Sequence, residues 1–199
     1  MSNTYQLKVT LHGTKPPLWR RVLVPGNLTL ERLHRVLNDA MGWYDCHLHS
    51  FAIHGTEFGV PDRDGWGGPE MEPEKKYTLE RLVGEKDRFS YTYDFGDNWV
   101  HNVLVEKVTP GESPAPRCIA GARACPPEDC GGIWGYAELV EAFVDENHER
   151  HAALTGWVPA GWTPDRFDLA LADRLVCKHG ARRTTSKKQS ARTWVRDRP

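Results

Sequence analysis

The densest group of chemically useful side chains lies in Tyr93–His101, which holds two carboxylates, a tryptophan and an imidazole. Apolar residues alternate with polar ones on both sides of a Gly-Asp-Asn turn, which predicts a β-hairpin formed by residues 89–94 and 99–106. Asp94 would end the first strand and Asp97 would lie at the tip. Histidine and carboxylate groups suit a hydrated metal ion or a general base. The alternative is structural, because turn aspartates accept backbone amides and a strand histidine can be a hydrogen-bonded core residue.

A second candidate is the pair His47 and His49, which are separated by one residue. Period-two alternation places both on one strand face together with Phe51. His101 is likewise placed on an apolar strand face. An H-x-H pair on a strand can bind a metal such as zinc, although each histidine alone is more often a satisfied interior residue.

Three cysteines, Cys118, Cys125 and Cys130, lie in the Pro- and Gly-rich residues 109–134. Structural zinc sites usually contain two close cysteine pairs, whereas these cysteines are separated by six and four residues. Zinc binding here would therefore need a histidine from elsewhere. The alternative is an ordered structural loop, since Pro and Gly clusters mark loops on their own.

We expect six polar side chains to gather near one pocket, with the Pro-stiffened residues 125–132 lying over it as a fixed lid. These side chains are His49, Asp94, Asp97, His101, Glu128 and Asp129. The side chains that could bind a divalent metal such as zinc are His47, His49, His101, Asp94, Cys118, Cys125 and Cys130. The same groups could instead form a closed hydrogen-bond network that pins the loop to the sheet.

The elements that must position these residues follow from periodicity. Alternation predicts strands over 5–11, 18–24, 47–53 and 57–60 in addition to the hairpin. Helical periodicity predicts a main helix from Thr29 to Gly42 and a short helix after Thr78. This order predicts an α+β fold, with a mixed or mostly antiparallel sheet packed on one main helix; a β-grasp-like arrangement is one option.

The C-terminal part differs from the rest in its hydrophobic periodicity, which is helical. After the loop at 109–134, periodicity predicts helices beginning near Tyr136, over 148–154, and from Thr163 as N-cap to about Cys177. We therefore expect a single domain over 1–177, made of sheet and main helix (1–108), loop (109–134) and helices (135–177).

Residues 178–199 form a basic tail that carries a net charge of +7, against −8 for the rest of the chain. Its low apolar content predicts disorder. Its cationic side chains could neutralise nucleic-acid phosphates, although a solvated terminus is the alternative. The residues available for such binding are Arg182, Arg183, Lys187, Lys188 and Arg192.

Cysteine usage and targeting patterns predict the cellular compartment of the protein. The five cysteines are odd in number and irregularly spaced, which argues against a disulfide framework. The N-terminus lacks the basic and apolar regions of a secretory signal, and no apolar run approaches the length of a membrane span. These features predict a cytoplasmic protein without a membrane partner.

Four motifs resemble the plasmid pRiA4b ORF-3-like family over residues 4–176. They are Pro17–Val22, the helix over 30–43 with residues 46–51, Tyr93–His101, and Cys125–Tyr136. The family is also described as transposon passenger proteins with a resolvase-like label, and its members occur near mobile elements in bacteria and archaea. A serine recombinase needs a nucleophilic serine set among arginines and a helix-turn-helix module, and neither is found in this sequence.

Three functions remain open at this point. The resemblance implies an accessory protein of mobile elements, which we interpret as a non-catalytic binding module for a protein or nucleic-acid partner. The histidine and carboxylate residues are compatible with a metal-dependent hydrolase or nuclease. The basic tail is compatible with nucleic-acid binding.

Overall fold

A computed structural model describes residues 3–61, 70–111 and 115–180. Eight strands are found there: β1 Thr4–Leu11, β2 Trp19–Pro25, β3 His49–Ile53, β4 Thr56–Gly59, β5 Glu72–Pro73, β6 Arg88–Tyr93, β7 Trp99–Thr109 and β8 Arg117–Ala122. The α-helices are α1 Leu30–Met41, α2 Leu79–Leu82, α3 Gly132–Val144, α4 His151–Thr155 and α5 Leu169–Val176, with 3-10 turns at Glu74–Lys76 and Cys177–His179.

The strands form one sheet in the order β5-β4-β3-β6-β7-β1-β2-β8. Neighbouring strands are antiparallel except for the β4–β5 pair, which is parallel. The predicted hairpin is confirmed, with Tyr93 opposite Trp99 across the β6–β7 pair. The α+β fold with a mixed, mostly antiparallel sheet is therefore confirmed. Within the described ranges, no helix is both long enough and apolar enough to cross a bilayer.

Helix α1 forms because its apolar residues recur at helical spacing and face the sheet. Leu30, Leu33 and Leu37 are almost completely buried in the core. Gly42 ends the helix in the left-handed region (φ 99°), where its amide donates to the Asn38 carbonyl, a conformation that glycine adopts at little cost. The chain then turns directly into residues 43–48, which we call the site loop.

Strand β8 corrects the expectation that residues 109–134 are entirely loop. Its residues pair with β2 at the edge of the sheet, with Arg20 opposite Gly121. Glycine weakens a strand signal, but here it makes room, because a Cβ at position 121 would lie 2.5 Å from the Phe167 ring. Gly121 therefore interrupts the alternation that would mark this strand in the sequence, and its missing side chain leaves room for the Phe167 ring.

The last helix is shorter than the prediction that starts it at Thr163. Asp168 is its N-cap, and the Asp168 side chain accepts a hydrogen bond from the Leu171 amide. The residues between Thr163 and Asp168 are not helical, and the Pro164 carbonyl accepts a hydrogen bond from the Ala124 amide. Helix α5 packs against both α1 and β8 and so closes one side of the molecule. The predicted basic tail lies outside the described residues, apart from its first three positions.

Candidate functional site

One imidazole, that of His47, lies at the centre of three carboxylates. Its Nε2 atom is 3.3 Å from Asp129 Oδ1, 3.7 Å from Asp94 Oδ2 and 3.8 Å from Glu128 Oε2. We call these four residues the His47 cluster. Cys46 adds a neighbouring thiol, since its sulfur forms a metal-compatible group with His47 and Glu128. A second such group consists of His47, Asp94 and Asp129.

Three separate segments supply these side chains. His47 comes from the site loop, Asp94 follows β6 directly, and Glu128 and Asp129 come from the Pro-rich segment before α3. The Asp94 amide donates to the Leu48 carbonyl, which joins the hairpin to the site loop. The Trp43 indole N–H donates to the Pro126 carbonyl (3.0 Å), which joins the site loop to the Pro-rich segment. The cluster thus exists only when all three segments are folded together.

Glu128 is fixed by one of its two oxygens. Oε1 accepts hydrogen bonds from the Tyr44 amide (2.8 Å) and from the Tyr93 hydroxyl (3.1 Å). The side chain is only 9% exposed, and Oε2 is buried without a hydrogen-bond partner. His47 Nε2, which faces it, is also buried and unpartnered. Two unsatisfied polar atoms therefore face each other at the centre of the cluster, an arrangement that is costly unless something binds between them.

Asp94 is arranged in the same way. Its Oδ1 accepts from the Gly96 amide (2.9 Å), while Oδ2 faces His47, and the side chain is 10% exposed. Asp94 and Asp129 both have left-handed backbone conformations, with φ values of 55° and 57°. Asp and Asn tolerate this region better than most residues do. The hairpin turn and the lid thus each direct one aspartate toward the imidazole.

The electrostatic balance of the cluster is negative. In the portion of the chain that the structure covers, no lysine or arginine lies within 4.0 Å of the Asp94, Glu128 or Asp129 carboxylates. Asp129 is 69% exposed, so the cluster reaches the surface at that side. Three carboxylates around one imidazole, without a fixed cation, form an environment that attracts a cation.

Asp97 lies beside the cluster and forms a hydrogen bond with the segment before α3 instead of facing His47. Its carboxylate accepts from the Gly131 amide (3.2 Å), and its carbonyl lies so close to Gly132 that a Cβ there would be 2.6 Å away. The hydrogen bond ties the start of α3 to the tip of the hairpin, and the close approach leaves no room for a side chain at Gly132. Asp97 therefore supports the lid that carries Glu128 and Asp129.

The structure corrects the expectation that His49 joins Asp94. The strand begins at His49, so His47 is in a loop and the two rings do not share a face. His49 Nε2 donates to Glu74 (2.8 Å), and the His49 ring stacks on His34 at 3.4 Å. His34 in turn donates from Nε2 to Asp45 (2.6 Å). Burial lowers the pKa of His34 to about 4, with the neighbouring His49 as a further cause.

His101 is also separate from the cluster. It is fully buried, packs against Trp43 and Tyr91, and donates from Nδ1 to the Tyr91 carbonyl (3.1 Å). Burial lowers its pKa to about 4, so the ring is neutral at physiological pH. It is a core residue, as the structural alternative for a strand histidine describes.

The three cysteines proposed as zinc ligands do not come together with a histidine. Neither metal-compatible group found among the described residues includes Cys118, Cys125 or Cys130. Burial raises the pKa of all three thiols, for Cys130 to about 12.

Sequence reasoning placed His47 only among the metal ligands and gave no role to Tyr93. Tyr93 alternates with Phe89 and Tyr91 as an ordinary core position, so nothing in the pattern marks its hydroxyl as a donor to Glu128. Tyr44 contributes only its backbone amide, which no side-chain pattern can reveal.

Comparisons with known proteins agree on the family. The model of the plasmid pRiA4b ORF-3-like protein family matches residues 3–171. The uncharacterized protein y4hQ of Sinorhizobium fredii (strain NBRC 101917 / NGR234) is 41% identical over 160 residues, covering 79% of this chain and 81% of that protein. The crystal structure of the protein of unknown function MM3350 from Methanosarcina mazei Go1 is similar with a TM-score of 0.77 and 36% identity, covering 85% of this chain and 97% of that one. On this evidence the chain belongs to the plasmid pRiA4b ORF-3-like family.

Proposed function

We propose that this protein binds a divalent metal ion through the His47 cluster. The observation that carries the proposal is the pair of buried, unpartnered atoms, His47 Nε2 and Glu128 Oε2, at the centre of three carboxylates that no lysine or arginine neutralises within the described residues. A metal ion satisfies both atoms at once and supplies the missing positive charge. A structural network would instead be expected to leave neither atom unpaired.

The spacing of the ligand atoms fits a first-row metal. A metal at roughly 2.0–2.2 Å from each ligand holds tetrahedral ligand atoms about 3.4 Å apart. The three separations from His47 Nε2 are 3.3, 3.7 and 3.8 Å. One imidazole with carboxylates suits Zn²⁺ or Mn²⁺. The ligand atoms fall into two groups that share His47, one with Cys46 and Glu128 and one with Asp94 and Asp129, and within each group they lie within 4.8 Å of one another. An ion would draw the carboxylates inward from these separations.

Hydrolysis is the second candidate, and the exposure of Asp129 favours it. A site that opens to solvent on one side can retain a water on the metal, and the metal lowers the pKa of that water and polarises an ester or phosphodiester oxygen. The basic tail, with its net charge of +7, supports phosphodiesters as the substrate class because it could hold nucleic acid near the protein. Without turnover, the same site and tail describe an accessory binding protein of mobile elements.

Metal binding to the full-length chain, purified without an affinity tag, tests the proposal. Isothermal titration with Zn²⁺ and Mn²⁺ should give one site in the wild type, and His47→Asn should abolish it. His54→Asn is the matched control, because His54 is exposed, lies 3.8 Å from the Asp87 carboxylate and is outside the cluster. Equal affinity of both variants, or no binding by the wild type, would refute the proposed site.

A further inference from the structure

A cavity of about 220 Å³ lies between the end of α1, residues 124–128 and helix α5. Its walls include the rings of Trp43, Trp162 and Phe167. Two of these rings are held by hydrogen bonds, since Trp43 donates to the Pro126 carbonyl and Trp162 donates to the Cys125 carbonyl (3.1 Å). The cavity is therefore preformed and largely apolar, as small-molecule sites usually are.

Arg20 also lines this cavity, although it is only 2% exposed. Its Nε donates to the Ala40 carbonyl (2.9 Å) and its Nη1 to the carbonyls of Trp19 and Ala122. The guanidinium lies over the Phe167 ring at 4.0 Å. Over residues 3–61, 70–111 and 115–180, Arg20 has no carboxylate partner within ion-pair distance, and burial lowers its pKa. An arginine nevertheless stays cationic, so the cavity contains a buried positive charge without a counter-ion.

The acidic groups on the walls are already engaged. Asp39 binds the His179 ring (2.6 Å), and Asp168 caps α5 by accepting from the Leu171 amide. Glu128 accepts from Tyr44 and Tyr93. Asp168 and Glu128 keep their negative charge, but Glu128 Oε2 faces His47 and Asp168 is bound to the start of α5, so the buried cation on the wall is Arg20. The exposed Arg166 at the wall adds a second cation that forms no ion pair with the other described residues.

We propose that this cavity binds a small organic anion with a single aromatic ring, such as an aryl carboxylate or aryl phosphate, whose charged group pairs with Arg20. The size supports one ring, because a cavity of about 150 Å³ can hold benzene and this one is about 220 Å³. The proposal goes beyond the metal site, although Glu128 lines both.

Two-dimensional NMR of the full-length protein tests the proposal, with EDTA present so that no metal contributes. The probes are phenyl phosphate, benzoate and the neutral benzyl alcohol. We expect the anions to shift the indole N–H signals of Trp43 and Trp162 and to bind at least about tenfold more tightly than benzyl alcohol, because charged hydrogen bonds in an apolar site are the strong ones. The anion that binds more tightly, benzoate or phenyl phosphate, shows whether the natural ligand carries a carboxylate or a phosphate.

Two leucines of α5 provide a matched pair of variants. Leu171 lines the cavity and is 40% exposed, whereas Leu169 is 41% exposed and does not line it. Leu171→Asp should weaken anion binding about tenfold or more through like-charge repulsion, and Leu169→Asp should leave it unchanged. His47→Asn should also retain the affinity, which separates this site from the metal site.

Three results would overturn the proposal. Benzyl alcohol binding as tightly as the anions would show that the cavity selects for apolar surface and not for negative charge. Equal weakening by the two leucine variants would place the anion elsewhere. Unshifted signals for both indoles at saturating probe would mean that the cavity is not the binding site.

Discussion

Replacing Glu128 by glutamine separates a metal site from a structural network, because the two predict opposite effects. Glutamine keeps the carbonyl oxygen that accepts from the Tyr44 amide and the Tyr93 hydroxyl. It replaces the unpartnered Oε2 by an amide NH₂ and removes one negative charge from the cluster. The variant therefore loses the proposed metal ligand without losing the contacts that hold the side chain.

The expected magnitudes follow from the burial of Oε2. Glutamine puts a polar NH₂ group in place of the unpartnered oxygen and removes one of the three negative charges around His47, so the metal-free variant should be at least as stable as the wild type. A metal at 100 times its Kd should stabilise the wild type by about 2.7 kcal/mol. For a chain of this size that is a rise in Tm of roughly 5–11 °C. The variant should show little or none of this rise.

Thermal unfolding of both proteins with EDTA and with Zn²⁺ or Mn²⁺ measures these differences. Glu141→Gln, at an exposed position on α3, is the control and should behave like the wild type. If the metal raises the Tm of Glu128→Gln as much as that of the wild type, Glu128 is not a ligand. If the metal-free variant loses more than about 1 kcal/mol of stability, the buried hydrogen-bond network is the better description.

Three further predictions concern other parts of the chain. The pKa of His101 is about 4 in the folded protein, against 6.5 in the unfolded chain, so the unfolded chain takes up the proton first as the pH falls. Stability should therefore fall between pH 6.5 and 4, by up to roughly 3 kcal/mol for this residue. Urea unfolding of His101→Gln should show a flatter pH dependence than that of the wild type. Gly132→Ala should destabilise by about 1–3 kcal/mol more than Gly55→Ala, since both have positive φ but only Gly132 abuts a carbonyl. Truncation after Cys177 should abolish any salt-dependent nucleic-acid binding in a gel-shift assay, and unchanged binding would assign it to the body.

Local patterns predicted most of the sheet and the main helix. The alternation on both sides of Gly96 and the periodicity from Leu30 to Met41 reflect one face packing on the core, which is the strongest signal that a sequence carries. Strand β8 escaped because Gly121 interrupts its alternation to admit Phe167. The helix start moved from Thr163 to Asp168 because both are good N-caps, and contacts with residues distant in sequence select between them.

The candidate site was predictable in part. Asp94, Glu128 and Asp129 each lie within 4.0 Å of one imidazole, but that imidazole is His47 and not His49. Alternation was extended two residues too far, because the strand begins only at His49. A shift between strand and loop changes the direction of a side chain, and no local pattern determines where pairing with a neighbouring strand begins.

The left-handed backbone at Asp94 and Asp129 has a consequence for how this family can diverge. At each position the backbone favours Asp, Asn or Gly, while a metal ligand requires the carboxylate. Asparagine is therefore the substitution that selection on folding tolerates best, and it removes the charge at once. If the His47 cluster binds a metal as proposed, a relative that has lost the metal should show asparagine or glycine at these two positions before its fold changes.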